Sequence, residues 1–165
     1  MKKTIIAITA IMAMISCNRS NPFFSEWDTP YGIPPFEQIQ ERDYLPAVKE
    51  GIARQQAEIQ AIIDNPEAPD FENVIAAMDR SGALLGKVIG VLFNVSESDS
   101  NDNLNKIVET AMPMISEHSS SINMNAALFA KVKDVYEADQ SGLSREQQML
   151  LKDTYDSFVE NGIGL

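Results

Sequence analysis

From Asp43 to Gly162 the apolar residues return every three or four positions, and nowhere do they alternate with a period of two over a useful length. Three-to-four spacing lines one face of a helix, whereas a half-buried strand needs alternation, so the chain is predicted to be all-α. The first helix is expected over Asp43–Asn65, with Leu45, Val48, Ile52, Ile59 and Ile62–Ile63 on its buried face. Asp43 reads as its N-cap and Pro46 as a first-turn residue, where a missing N–H costs little. The run stops in "DNPEAP", because Asn65 and Ala68 each precede a proline and are pushed away from helical geometry. A second helix is expected from Asp70 to about Val95, carrying Phe71, Val74–Ile75, Met78, Leu85, Val88–Ile89 and Leu92. After a polar loop, "SESDSND" (Ser96–Asp102), a third follows on Leu104, Ile107–Val108, Ala111, Ile115 and Ile122, with Pro113 kinking or interrupting it. The fourth covers "AALFAKVKDVYEA" behind Asn125 as N-cap, and the fifth opens at the capping box "SREQ" (Ser144–Gln147) and ends near Gly162.

The 165 residues suffice for one domain with a real core, and 44% apolar with 22% charged residues is an ordinary globular composition. The formal net charge of −11 disfavours nucleic acid and anionic lipid headgroups as surface ligands. The start has the form of an export signal: Lys2 and Lys3, then the apolar run Ile5–Ile15 of eleven residues. A helix of that length covers about 16 Å, roughly half a bilayer's hydrocarbon core, too little for a membrane span. "MISC" then resembles a bacterial lipobox, with small Ser16 before Cys17. The expected organisation is a signal peptide over residues 1–16, a lipidated Cys17 with a short tether over 17–20, and a helical body over 21–165. An ordinary secretory signal with an incidental Cys17 is the alternative. The lipid anchor would place the body in the cell envelope, attached to the inner or outer membrane on the periplasmic side. With its one cysteine acylated, the chain would have no disulfide.

Residues with catalytic or metal chemistry are scarce. His118 is the one histidine, "HExxH" is absent, and a catalytic zinc usually takes three protein ligands, so no catalytic or metal residue is assigned. His118 follows Ala111 and Ile115 at helical spacing and is expected at the edge of the core. One histidine would have to serve every serine, and there is no Gly-x-Ser-x-Gly elbow, P-loop or dinucleotide fingerprint. In "SGALLGKVIG", Gly82, Gly86 and Gly90 lie four apart in a helical pattern. Each costs a helix interior about 0.8–1 kcal/mol against alanine, so close approach of a second helix backbone is the expected compensation. A membrane dimer stripe is excluded by Asp79, Arg80 and Lys87. "SESDSND" lacks the sixth-position Gly and twelfth-position Glu of a calcium loop and reads as solvated.

The remaining feature is "NPFFSEWDTPYGIPPFEQI" (Asn21–Ile39), with four prolines, three phenylalanines, a tryptophan and a tyrosine. This stretch, its continuation through "DYLPAVKEGIARQQAEIQAIIDNPEAPDFENVIAAMDRSG", the segment "SEHSSSINMNAALFAKVKDVYEA" and the ending "LSREQQMLLKDTYDSFVENGIGL" resemble the N-terminal region of Dcp-type peptidyl-dipeptidases. Those enzymes are zinc metallopeptidases of the thimet oligopeptidase family. The resemblance covers residues 21–165, and "PPFEQI", "PDFEN" and "ALFAKVK" are its most specific parts. It implies helical hairpins forming part of one lobe of a two-lobed body, around a channel that admits oligopeptides and releases their C-terminal dipeptides. Zinc is the family's cofactor, but its ligands belong to parts of the family sequence that no position here matches. The Pro-rich stretch is then expected as the first ordered segment, extended, with its aromatics packed across the following helices.

Two readings follow. In one, the chain is the N-terminal piece of such an enzyme, contributing channel wall without chemistry of its own. In the other, it is a free-standing helical lipoprotein that binds peptides or a partner protein. The ending "ENGIGL", apolar just after a helix-stopping glycine, is read as leading into a further element and favours the first.

Overall fold

The computed structural model describes residues 19–163. The signal-peptide and lipobox readings, Cys17 included, lie outside them. The described residues form helices joined by turns, with no strand among them. After two short 3₁₀ turns, Pro22–Phe24 and Pro30–Gly32, come α1 (Glu41–Asp64), a π-helical turn (Phe71–Ala76) running into α2 (Ala77–Arg80), α3 (Ala83–Ser98), α4 (Asp102–Asn123), α5 (Ala126–Glu137) and α6 (Arg145–Glu160). The chain is all-α, as its periodicity predicts.

Local chemistry accounts for most of the boundaries. Asn101 and Asn125 cap α4 and α5 by accepting from Leu104 N–H at 3.0 Å and Leu128 N–H at 2.9 Å. Ser144 and Gln147 form the reciprocal capping box at α6. That helix closes with Gly162 at φ 90° and Ile163 N–H donating to Phe158 O at 3.2 Å, a Schellman ending that returns Ile163 to the core beside Phe158.

Three expectations need correction. Asp43 is not the N-cap of α1: Gln40 is, and Asp43 is the third helical residue, accepting from Gln40 N–H at 2.7 Å. A capping box fits either end of the pair, and the helix takes the earlier start. Pro46 consequently sits in the second turn rather than the first. The expected helix Asp70–Val95 is broken at Ser81–Gly82, because Gly82 is left-handed at φ 73° and begins a new helix. Its apolar register survives the break, so periodicity alone does not reveal it. Finally, α3 continues through Ser98, so "SES" (Ser96–Ser98) is its last turn and the loop shrinks to Asp99–Asn101.

The buried side chains fall into two clusters. One joins Phe23 to the N-terminal half of α1, α3 and the front of α4, through Tyr44, Val48, Val88, Leu92 and Leu104. The other joins the C-terminal half of α1 to the π-helical turn, α5 and α6, through Ile59, Ile62, Ile75, Leu128, Leu151 and Phe158. The rings of Tyr136 and Tyr155 stack at 4.0 Å in the second cluster.

The opening segment is ordered, and it packs at its front through Phe23 and Trp27 and at its end through Ile39. Phe23 is buried against Tyr44 at 5.5 Å, and the Lys87 ammonium lies 3.9 Å over the Trp27 ring while donating to Ser25 O at 2.8 Å. Burial lowers the Lys87 pKa, and Glu26 partly opposes that shift. Arg19 forks onto the Asp43 carboxylate at 3.1 Å, fastening the start of the described chain to α1.

Candidate functional site

Two polar residues interrupt the apolar stripes, and the fold brings them together. On α1 the buried-face series Val48, Ile52, Ile59, Ile62 carries Gln55 between its two halves; on α4 the series Ala111, Ile115, Ile122 carries His118. His118 Nε2 meets Gln55 Oε1 at 2.9 Å, so the ring nitrogen donates to the amide oxygen. The Gln55 amide donates in turn to Ser81 Oγ at 3.2 Å, and Ser81 donates to Met78 O at 2.7 Å. One turn along α1, Glu58 accepts the Gly82 N–H at 2.7 Å. The break between α2 and α3 is thus fastened to α1 by Gln55 and Glu58, in the layer that separates the two apolar clusters. A Cβ at position 82 would stand 2.4 Å from the Gln55 amide and push it from its place, and the left-handed backbone angle of 73° itself calls for glycine.

His118 is more deeply placed than a core-edge residue, with only 5% of its surface exposed. Its Nδ1 is buried without a hydrogen-bond partner, and burial lowers its pKa, which keeps the ring neutral near pH 7. The nearby Ser121 hydroxyl donates to the His118 carbonyl rather than to the ring, so no nucleophile–base pair is assembled there. The layer holds two helix pairs in register and does no bond chemistry.

Beside it, an open groove of about 490 Å³ runs between the C-terminal half of α1 and the π-helical turn. Ile62 and Ala77 give it an apolar floor, and Glu58, Asn65, Glu72 and Arg80 supply donors and acceptors at its edges. Such a groove can hold an extended chain through side-chain hydrogen bonds, and it contains no proton-transfer pair.

The glycine stripe is a correction. Gly86 and Gly90 face open space, with nothing within 4 Å of a Cβ added at either, and Gly82 is the turn just described. The close helix approach expected of them occurs on the same helix pair at Gly51 of α1, where a Cβ would stand 2.9 Å from Leu85 Cα. Among the described residues no group of three or more His, Cys, Asp or Glu is placed to hold a metal ion. The described residues do not fit the zinc that the resemblance implies: the lone imidazole is spent on Gln55 and has no carboxylate beside it. Gln55, Glu58 and Ser81 were missed by reading for chemistry, although a polar residue in phase with a buried stripe is itself a signal.

No protein-family profile matches the chain. It is 36% identical over 147 residues, 88% of its length, to the dipeptidyl carboxypeptidase of Salmonella typhimurium, and 38% identical over 146 residues to that of Escherichia coli K12. This chain is a homologue of the dipeptidyl carboxypeptidases. Oligopeptidase A of Salmonella typhimurium is more distant, at 22% identity over 138 residues. The chain spans about a fifth of the length of the curated relatives it matches, 22% and 21% for the two dipeptidyl carboxypeptidases. The family expected from "PPFEQI", "PDFEN" and "ALFAKVK" is therefore the family found.

Proposed function

We propose that the chain is one portion of an envelope peptidyl-dipeptidase, a hydrolase that removes C-terminal dipeptides from oligopeptides, and that this portion forms helical wall of the substrate channel. The observation that carries the reading is identity of 36–38% sustained over 88% of the chain to proteins named for that activity. Zinc and its ligands then belong to the remaining four fifths of a peptidase-length polypeptide, and the helices described here contribute shape. Hydrolysis would be done elsewhere, by a metal-bound water and a general base. Acylated Cys17 would hold the assembly at the membrane on the periplasmic side.

The test is a hybrid in which residues 19–163 replace the matching stretch of the Escherichia coli relative. The hybrid is expected to release dipeptides from the C-terminus of an oligopeptide, read by mass spectrometry, while the 165-residue chain alone releases none. A folded hybrid without dipeptide release would defeat the reading. Should the chain alone bind oligopeptides tightly in the Glu58–Arg80 groove, the free-standing binder would be favoured instead. Incorporation of labelled palmitate that disappears in Cys17→Ser would support the anchor, and equal incorporation in both would remove it.

A further inference from the structure

The back of the opening segment points apolar side chains into solvent. Tyr31 is 101% exposed, and Ile33 and Phe36 are each 51% exposed, within six residues. This is not a slack loop. Tyr31 at φ 60° and Gly32 at φ 66° are consecutive left-handed residues, a costly conformation for a tyrosine. The turn is closed by Gly32 N–H donating to Thr29 O at 3.0 Å, Ile33 N–H to Pro30 O at 3.3 Å, and the Thr29 hydroxyl to Ile33 O at 2.6 Å. Pro30, Pro34 and Pro35 stiffen both flanks. Beside Phe36 lies a hollow of about 410 Å³, floored by Ile39, Tyr44, Val95 and Leu104 and rimmed by Glu41 and Asp99. A rigid aromatic projection next to an apolar hollow is how protein interfaces place their anchors.

We propose that Thr29–Phe36 is a docking prong, with Tyr31 and Phe36 as its anchors, seated in an apolar socket with a cationic rim. That socket would lie on the remaining four fifths of the peptidase-length polypeptide. The inference rests on the proposed function and names the surface through which this portion joins the rest. Relatives about five times as long supply the occupant, since this chain spans 22% and 21% of them. Charge disfavours the other occupants. Residues 20–41 contain Glu26, Asp28, Glu37 and Glu41 and no Lys or Arg, so anionic headgroups would repel the prong. A second copy, equally acidic at −11, would do the same.

The test measures binding of the 165-residue chain to the Escherichia coli relative lacking its matching stretch, by calorimetry. Tyr31→Ser and Phe36→Ser are each expected to weaken binding at least tenfold, with thermal midpoints unchanged because both side chains are exposed. Met149→Ser, another exposed apolar position on α6, is expected to bind as the unaltered chain does. Serine variants that bind equally well would overturn the prong while leaving the proposed function standing. If that truncated relative does not bind the unaltered chain, the hybrid decides through tyrosine iodination mapped by mass spectrometry. At least tenfold slower labelling of Tyr31 in the hybrid than in the 165-residue chain supports the prong, and an equal rate overturns it. An inactive hybrid would instead count against the proposed function.

Discussion

A buried histidine with one unpartnered nitrogen makes stability depend on pH. His118 donates through Nε2 to Gln55, so protonation must occur at Nδ1, where no acceptor waits. Its folded-state pKa is lowered by burial, whereas in the unfolded chain it should return to about 6.5. Between those two values the unfolded state binds more protons than the folded one, and stability therefore falls as pH falls. The contribution is intact above about 6.5 and is lost as pH drops from there through the lowered folded value, with a slope of at most about 1.4 kcal/mol per pH unit. Urea unfolding at pH 7.5 and 5.5 measures this. The unaltered chain should lose more stability between the two conditions than His118→Asn does, and equal losses would show that other groups carry the acid sensitivity.

At the scale of the element, α1 and α3 meet at Gly51 and Leu85 with no room between their backbones. Gly51→Ala places a methyl 2.9 Å from Leu85 Cα and 3.0 Å from Leu85 N, atoms that cannot rotate away. It should destabilise by about 1–3 kcal/mol, the usual cost of overpacking. Gly86→Ala and Gly90→Ala, on the neighbouring helix with open space around them, should each stabilise by about 0.5–1 kcal/mol by favouring helix. Thermal or urea midpoints of the three variants are enough, and a stabilising Gly51→Ala would refute the close-approach account. The contrast also marks what was legible in the sequence. Most boundaries and the caps at Asn125 and Ser144 could be read, because each is decided by a few adjacent residues. Which glycine takes the neighbouring backbone could not, since the three-to-four period says only that a face is buried. The break at Ser81–Gly82 was hidden for a related reason: Met78 and Leu85 remain seven apart and in phase across it, while Gln55 and Glu58, which fasten it, lie more than twenty residues away.

The described residues form two apolar clusters that share α1, with the Gln55–His118–Ser81 layer between them; α4 reaches from one to the other, with Ile115 packed on the first and Ile122 on the second. Periodicity showed one buried face along α1, and only the polar Gln55 that interrupts it between Ile52 and Ile59 hinted that it feeds two cores. A polar layer transmits packing changes less well than interlocked side chains do, so damage to one cluster should stay largely local. Leu92 is fully buried in the first cluster and Leu151 in the second, and truncating either to alanine should cost about 2–5 kcal/mol. Hydrogen exchange read by mass spectrometry then separates the clusters. Leu151→Ala should speed exchange at least tenfold in α5, α6 and the C-terminal half of α1 while leaving α3 and the front of α4 within about twofold; Leu92→Ala should do the reverse. If both variants accelerated exchange evenly from α1 to α6, the molecule would be one cooperative unit, and the polar layer would be a detail of its core and not a seam. Local response is the outcome that the division of α1 favours: its two halves bury their apolar faces in different clusters, with Gln55 between them.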